Sequence, residues 1–247
     1  MRPNVLTFAA SDPTGGAGLQ ADLLTLAALG CHPLSALTAL TVQDTTGVEH
    51  LEPVAADLVT RQASRVLAET RVAAFKVGVV GTAANARAVG AIAAAHAGVP
   101  LVLDPVLASG RGDPLAGDDV LAALLDSLVP RASVVTPNTL EAKRLGGAPR
   151  LLELGCRYVL VTGTHDESTE VINRLYDAGG LVREDRWPRL PGSYHGSGCT
   201  LASALAAGLA KGRAMPEAAH EAQEFTWRTL AAALRTGKGQ ALPNRFF

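Results

Sequence analysis

Short apolar, β-branched segments alternate along the chain with longer segments in which Ala and Leu recur at helical spacing. The pattern predicts strands over 5–10, 35–43, 75–80, 101–106, 133–137, 158–162 and 170–176, and helices over 18–29, 56–69, 83–97, 118–129, 140–145, 199–211 and 216–234. This alternation predicts an α/β fold, in which one mostly parallel sheet carries helices on both faces. In such sheets ligands bind beyond the carboxyl ends of the strands.

No stretch of the chain is typical of a linker, because none is rich in Pro, Ser or one sign of charge, and no repeat of fixed period occurs. We therefore predict a single domain spanning residues 1–247. The one long, weakly patterned stretch is 179–194, which contains Trp187, Pro188 and Pro191. We predict a loop here, of a length that often serves as a functional flap.

The composition narrows the class of protein. With 48% hydrophobic and 18% charged residues, the chain can bury a large core, and the net charge of −1 comes without a basic stripe. These features argue against nucleic-acid binding and against attachment to a membrane surface. The longest apolar stretch is too short to span a bilayer. Three widely spaced cysteines without a CxxC pair, and a start without a signal-like apolar run, favour the cytoplasm.

The strongest local motif is HGSGCT, residues 195–200, which is followed by an apolar helical segment. Two glycines and a serine at a helix start leave backbone N–H groups free, which favours binding of an anion such as phosphate. We expect the helix field to lower the thiol pKa of Cys199. A glycine-rich turn with a structural cysteine explains the pattern about equally well.

Acidic residues follow two neighbouring predicted strands. Asp104 ends the run VPLVLD, and Glu141 lies in TPNTLE, just after the next strand. Singly, Glu141 is better explained as a first-turn acid that complements a helix dipole. Together with the anion-binding loop, the two carboxylates indicate Mg²⁺-assisted phosphoryl transfer.

Other prominent residues carry weaker signals. In SDPTGGAG, residues 11–18, the glycines fit either a close approach of backbone to a ligand or a tight turn, with the turn slightly favoured. Trp187 and Trp227 are interpreted as packing residues. The remaining histidines show no metal-binding spacing.

Five segments together resemble a known family: SDPTGGAGLQADL, TALTVQDTTGV, LDPV, VTPNTLEA and HGSGCT. In this order they are similar to the bacterial hydroxymethylpyrimidine/phosphomethylpyrimidine kinases of thiamine biosynthesis, within the ribokinase superfamily. The resemblance implies a three-layer α/β/α ribokinase-like fold and a homodimer. It also implies two ATP-dependent phosphorylations, of 4-amino-5-hydroxymethyl-2-methylpyrimidine and then of its monophosphate.

The resemblance also implies roles for individual residues. Gln43 would bind the aminopyrimidine edge, and the ring pocket would be formed by Ala10, Ala17, Val79 and Val106, with Asp22 nearby. Asp104 and Glu141 would hold Mg²⁺, and Asn138 would support the ATP phosphates. Gly196, Ser197 and Gly198 would form the anion hole, with Cys199 as base.

Several positions depart from the family pattern. Thr162 stands where the family has a lysine that contacts ATP phosphate, and Val79 replaces a common methionine. The segment between Glu141 and Cys156 is short, and the ending KGQALPNRFF is unusual. Two alternatives therefore remain: a pyridoxal kinase-like enzyme, and a non-catalytic pyrimidine-binding module.

Overall fold

The computed structural model describes residues 2–109, 112–113, 115–166 and 168–247. Within this part the strands are β1 (Asn4–Ser11), β2 (His32–Gln43), β3 (Val48–Pro53), β4 (Ala74–Val77), β5 (Leu101–Leu103), β6 (Val134–Val135), β7 (Val159–Thr162), β8 (Glu170–Asp177) and β9 (Gly180–Pro188). The helices are α1 (Gly18–Ala28), α2 (Ala56–Leu67), α3 (Ala83–Ala95), α4 (Asp118–Ala123), α5 (Thr139–Arg144), α6 (Gly147–Glu153), α7 (Ser197–Ala210) and α8 (Met215–Ala231).

The described strands form one sheet in the order β3-β2-β1-β4-β5-β6-β7-β8-β9. The six strands from β2 to β7 in this order run parallel, and β3, β8 and β9 add antiparallel edges. Side chains that alternate along the parallel strands enter two separate cores. Leu101 and Leu103 face one core, whereas Val102 between them faces the other.

The two cores lie on opposite faces of the sheet and explain why both faces are covered. One contains apolar residues of α2, α3, α4 and α6, and the other contains residues of α1, α7 and α8. Alanines dominate the buried face of α7, which allows this helix to pack closely on the sheet. The predicted α/β/α layering is confirmed. No helix in the described ranges is long and apolar enough to cross a membrane.

The central strands are shorter than the sequence pattern predicts. The expected strand 101–106 ends at Leu103, and the expected strand 133–137 is reduced to Val134–Val135. A proline follows each of them within two residues, at Pro105 and Pro137, and proline cannot donate a ladder hydrogen bond. The polar residues after these strands are therefore released into loops at the carboxyl edge of the sheet.

The loop prediction for residues 179–194 is wrong over most of its length. Residues 180–188 form β9, which pairs antiparallel with β8 through a tight turn at Asp177–Gly180. The segment is rich in polar residues and forms the edge of the sheet. An edge strand buries few side chains, so the hydrophobic pattern that predicts a strand is weak here. Strand β3 and helix α6 were also absent from the predicted elements. Predicted helix 118–129 is α4 followed by a π-helical turn, Leu124–Leu128.

Candidate active site

A cavity of about 460 Å³ lies at the carboxyl edge of the parallel strands. Its position is the one expected for a ligand site in an open α/β sheet. All the residues predicted to bind the substrate except Asp22 line it, namely Ala10, Ala17, Gln43, Val79 and Val106. The proposed anion-loop, metal and nucleotide residues line it as well: Gly196, Ser197, Gly198, Cys199, Asp104, Glu141, Asn138 and Thr162.

One part of the cavity wall, here called the acidic end, contains Asp104, Glu141 and Cys199, with Asp22 and Lys76 buried behind them. Lys76 on β4 is fully buried, and its Nζ lies 2.8 Å from Asp22 Oδ1 and 3.9 Å from Asp104 Oδ2. Burial favours the neutral amine, but the neighbouring negative charges, above all that of Asp22, raise the pKa of Lys76 above its usual value. Lys76 is therefore a buried cation behind the cavity.

Asp22 differs from its predicted place. It is fully buried and is absent from the cavity lining, so it lies behind the predicted ring pocket and not in its wall. Its carboxylate accepts hydrogen bonds from Thr7 Oγ1 at 2.5 Å and from Ser203 Oγ at 2.8 Å, in addition to Lys76. The physical reason is its position on the inner face of α1, where this network holds Lys76 in place.

Asp104 is the partner of Lys76 that lines the cavity. It is only 4% exposed, yet its Oδ2 has no hydrogen-bond partner among the described residues. Burial raises the pKa of Asp104 to about 6, although the charge of Lys76 opposes this rise. A buried carboxylate oxygen without a donor is energetically costly, which favours a cation or donor bound at this point.

Glu141 lies at the start of α5 and caps it together with Asn138. Glu141 Oε2 accepts from the Asn138 N–H at 2.9 Å, and Asn138 Oδ1 accepts from the N–H groups of Leu140 and Glu141. This is a capping box, so the first-turn explanation for Glu141 holds. Burial and the charge of Asp104 also raise the pKa of Glu141 to about 7, which indicates that the two carboxylates lie close together.

Asp104 and Glu141 fit a magnesium site in which a phosphorylated ligand supplies the remaining oxygen ligands. Among the described residues no group of three or more His, Cys, Asp or Glu is arranged to hold a metal ion. The charge of Asp104 raises the pKa of Glu141, and Mg²⁺ commonly takes one or two carboxylates plus phosphate oxygens and water. Asp104 and Glu141 therefore suit an ion that arrives with a phosphorylated ligand.

The HGSGCT loop packs tightly against the loop that follows β1. Gly196 caps α7 with φ of +87°, and a Cβ added there would lie 1.9 Å from the Gly16 carbonyl oxygen, so only glycine fits. His195 Nε2 lies 2.9 Å from Asp12 Oδ2. Burial opposes ionisation of Asp12, but the bonds from His195 and from the backbone lower its pKa to about 2. This pair holds the two loops together.

The helix start offers free N–H groups next to Asp104. No side chain caps the first turn of α7, and a Cβ placed on Gly198 would be 3.9 Å from both carboxylate oxygens of Asp104. Anion-binding N–H groups and the two metal-suited carboxylates therefore face one space, as phosphoryl transfer requires.

The prediction of a lowered pKa for Cys199 is wrong. The residue as a whole is half-buried, but burial of its thiol raises the pKa to about 12, a rise that Lys76 opposes and that Asp104 and Asp22 reinforce. The helix field is outweighed because two carboxylates and the protein interior surround the sulfur. Cys199 is therefore a protonated thiol in the ligand-free protein.

A second part of the cavity wall, towards β9, is here called the aromatic end and contains Trp187, Arg189 and Trp227, with Thr162 between it and the acidic end. The two tryptophan rings stack with centroids 6.5 Å apart, so they do pack together, but they also line the cavity. Trp187 Nε1 donates to Gln223 Oε1 and Trp227 Nε1 to the Pro188 carbonyl. A flat, apolar ligand group would find a stacking surface here.

Arg189 is the one Lys or Arg that lines the cavity within the described ranges. Its Nε donates to the Ser168 carbonyl at 2.7 Å and its Nη1 to the Thr164 carbonyl at 2.8 Å, while Nη2 reaches the Asp166 carbonyl at 2.7 Å. Backbone carbonyls are neutral acceptors, so these bonds hold the loop after β7 without cancelling the positive charge.

Sequence reasoning missed Lys76 and Arg189. A lysine inside the short apolar strand AFKV was the available signal, because a buried lysine requires a carboxylate partner. Arg189 gave no comparable signal, since its position depends on β9, which was predicted as loop.

Comparisons with known proteins agree with this geometry. The family model described as phosphomethylpyrimidine kinase matches residues 12–244. A hydroxymethylpyrimidine/phosphomethylpyrimidine kinase of Rhizobium meliloti is 38% identical over 248 residues, which is 95% of this chain and 93% of the relative.

Solved structures give a consistent result. Pyridoxal kinase from Staphylococcus aureus, in complexes with pyridoxal and with AMP-PCP, superposes with a TM-score of 0.91 at 27% identity, covering 100% of this chain and 94% of that protein. Phosphomethylpyrimidine kinase from Clostridium difficile superposes with a TM-score of 0.79 at 29% identity, covering 91% of this chain and 98% of that one.

Proposed function

The chain belongs to the phosphomethylpyrimidine kinase family and is a kinase, and from this premise we propose that it uses ATP to phosphorylate 4-amino-5-hydroxymethyl-2-methylpyrimidine and then its monophosphate. The resemblance seen in the sequence and the ribokinase-like fold are both confirmed. One observation carries the proposal. The anion-binding start of α7 faces Asp104, whose Oδ2 is buried without a donor, across the same cavity that the predicted ring pocket lines.

In this proposal the pyrimidine ring occupies the pocket formed by Ala10, Ala17, Val79 and Val106. Gln43, at the end of β2, would pair with the aminopyrimidine edge through its amide, which can both donate and accept. The hydroxymethyl group would then point to the anion loop. Holding both reactants in line supplies much of the rate increase in phosphoryl transfer.

ATP would bind with its base at the aromatic end and its phosphates towards the acidic end. The complex of pyridoxal kinase with AMP-PCP supports a nucleotide in this cavity. Asn138 and Thr162 line the cavity between the two ends, and their backbones form an isolated parallel β-bridge. Asp104 and Glu141 would hold Mg²⁺, which neutralises phosphate charge when bound.

The N–H groups of Gly196, Ser197 and Gly198 would receive the charge that develops on the transferring phosphoryl group. The proton of the hydroxymethyl oxygen needs an acceptor, and the thiol of Cys199 is protonated in the ligand-free protein. Cys199 hydrogen-bonds to Asp104, which is largely ionised above pH 6. We propose that the Cys199–Asp104 pair accepts this proton, with Cys199 nearest the substrate.

A second candidate is phosphorylation of pyridoxal, which also presents a hydroxymethyl group on a heteroaromatic ring. The superposition on pyridoxal kinase with bound pyridoxal favours keeping this candidate. A non-catalytic module is disfavoured, because such a protein has no need to keep Asp104, Glu141 and Cys199 together at one end of the cavity.

The test is ADP release by the purified protein with hydroxymethylpyrimidine, its monophosphate or pyridoxal as the only acceptor. We expect turnover with both pyrimidines and a higher kcat/KM for hydroxymethylpyrimidine than for pyridoxal. A higher kcat/KM for pyridoxal would instead assign the second candidate. Binding of all three without ADP release would support the module.

We further infer a single-domain, cytoplasmic homodimer. The family resemblance supports the dimer, as does the exposure of Leu40 and Val42 on β2, at 51% and 52%. Three free cysteines suit a reducing compartment. Sedimentation equilibrium tests the dimer: we expect twice the mass of the chain, and a mass equal to one chain would contradict it.

A further inference from the structure

The C-terminal segment 239–245 contacts three loops around the cavity and is here called the C-terminal clamp. The N–H groups of Gly239 and Gln240 donate to Thr45, in the loop after Gln43. The His195 N–H donates to the Ala241 carbonyl at 2.9 Å, which fixes the start of the anion loop. The sequence singled out this ending as unusual, and the function described above gives it no role.

Arg245, the last residue of the clamp, is buried beneath the anion loop with only 5% of its surface exposed. Its Nη2 donates to the Gly16 carbonyl at 2.7 Å and to Thr200 Oγ1 at 3.0 Å, while Nη1 reaches the Gly15 carbonyl at 3.4 Å. No carboxylate of the described residues lies within 4.0 Å of the guanidinium. The carboxylates of Asp22 and Asp12 attract this charge from beyond ion-pair distance, so hydrogen bonds to the two loops fix the position of the guanidinium.

The contacts of Arg245 converge on one peptide of the anion loop. Thr200, which accepts from the guanidinium, donates its own hydroxyl to the Gly196 carbonyl at 2.8 Å. Gly16, the other acceptor, is the residue whose carbonyl touches Gly196 so closely that no side chain fits there. Arg245 is therefore linked to Gly196 in two ways, through Thr200 and through Gly16.

We propose that Arg245 is a positioning residue for phosphoryl transfer. By bridging Gly16 and Thr200 it holds the N–H groups of Gly196–Gly198 in the orientation that receives the transferring phosphoryl group, and it adds positive charge beneath them. Arg245 touches neither reactant. The inference rests on the proposed function, because it assigns Gly196–Gly198 to the anion hole.

The test compares Arg245→Met and Arg245→Lys with the control Arg228→Met. Arg228 also contacts the C-terminal end, with its guanidinium 4.4 Å above the ring of Phe247, but within the described part of the chain its side chain makes no hydrogen bond to either loop. For Arg245→Met we expect kcat for ADP release to fall on the order of 10- to 100-fold, as for other residues that orient a reacting group from behind. The Kd for hydroxymethylpyrimidine should stay within about twofold, because the ring pocket is not touched.

Lysine keeps the charge but cannot bridge Gly16 and Thr200 with a fork of donors. Arg245→Lys should therefore fold and recover only part of the lost kcat, which keeps the proposal testable where the methionine variant fails to fold. Arg228→Met should keep wild-type kcat. A wild-type kcat in either Arg245 variant, or a fall in kcat that Arg228→Met shares, would overturn the proposal.

Amide hydrogen exchange separates this proposal from the assignment of substrate. It is measured on the ligand-free protein, so it needs no turnover. We expect faster exchange at residues 196–200 in Arg245→Met than in wild type or Arg228→Met. If wild type phosphorylates none of the acceptors but exchange changes as expected, the proposed function fails and the clamp stands. Unchanged exchange at 196–200 contradicts the clamp whatever the substrate.

Discussion

The two ends of the cavity are built on different physical principles. At the acidic end, Lys76, Asp22 and Asp104 are buried close enough to interact electrostatically. Burial also raises the pKa values of Asp104, Glu141 and Cys199. At the aromatic end, half-exposed rings lie beside a guanidinium bonded to neutral carbonyls, and the carboxylate behind them, that of Asp185, is paired with Arg183 and His220. Perturbed pKa values of the first kind are typical of reacting groups, whereas the second arrangement suits binding.

This comparison predicts that changes at the acidic end act mainly on kcat and changes at the aromatic end mainly on KM for ATP. An interaction made equally in the ground and transition states alters KM, and one made only in the transition state alters kcat.

The largest effect is expected for Asp104→Asn. The variant removes a carboxylate proposed to hold Mg²⁺ and to take the substrate proton, so kcat should fall by at least about a hundredfold. Steady-state ADP release measures this loss. Asp57→Asn, which changes an exposed acid on α2, is the matched control and should keep wild-type kcat. A kcat within about threefold of wild type for Asp104→Asn would place the chemistry elsewhere.

Removing the buried cation should destabilise the protein. Lys76→Met leaves Asp22 charged and buried without its partner, and we expect the free energy of unfolding to fall by about 3–5 kcal/mol. Asp22→Asn/Lys76→Met removes both charges and should recover part of that loss. Urea unfolding of the two variants measures the difference. Equal stability of the single and double variants would show that the ion pair does not anchor this end.

Cys199→Ala should separate the two phosphorylation steps. The hydroxymethyl group must lose a proton, so the first step should slow by about a hundredfold, at the lower end of general-base effects. The phosphate of the second step has a pKa near 6 and arrives mostly ionised, so that step should change by less than about threefold. Single-turnover assays with each substrate measure this. Equal losses would remove Cys199 from proton transfer.

Arg189→Gln tests the role of the aromatic end in ATP binding. Loss of the only described cation that lines the cavity should raise KM for ATP about tenfold, while kcat stays within about threefold. Adding Thr162→Lys returns a positive charge beside Asn138 and should recover part of the affinity. The ATP dependence of ADP release gives both constants. A fall in kcat with unchanged KM would contradict the division between the two ends.

The stability of the metal-free protein should depend on pH through Asp104 and Glu141. The pKa values of Asp104 and Glu141 are raised to about 6 and about 7, so the folded state holds more protons than the unfolded state between about pH 4 and 7. Their contribution is therefore complete below pH 4 and is lost as pH rises through 7. Thermal unfolding at pH 5 and pH 8 should show this loss, and Asp104→Asn/Glu141→Gln should reduce it. An equal loss in the double variant would point to other groups.

The sequence pattern was sufficient for the layers, the parallel strands and the edge at which the site lies. Buried strands such as LVL and helices rich in Ala and Leu carry a clear periodic signal, and Asp104 and Glu141 follow such strands. The role of a residue at the site depends on how deeply its side chain is buried, and the pattern of hydrophobic and polar residues in the sequence does not give that burial. Asp22 and Gln43 are both polar residues in family motifs, yet one is buried behind Lys76 and the other lines the cavity.

The errors have a common physical cause. The thiol pKa of Cys199 was expected to follow the helix field, but three charges from distant parts of the chain and burial set its value instead. Strand β9 was missed because an edge strand with alternating polar residues resembles a loop. Arg245 is 229 residues from Gly16 in sequence, and only the folded chain brings them together.

The most direct test of the account is a single-turnover reaction with γ-labelled ATP and 4-amino-5-hydroxymethyl-2-methylpyrimidine, followed by separation of the labelled products. We predict that label appears in the pyrimidine monophosphate, and in the diphosphate when more ATP is supplied, and that Asp104→Asn abolishes both products. Label found only in inorganic phosphate, or unchanged in ATP after prolonged incubation with both substrates bound, would contradict it.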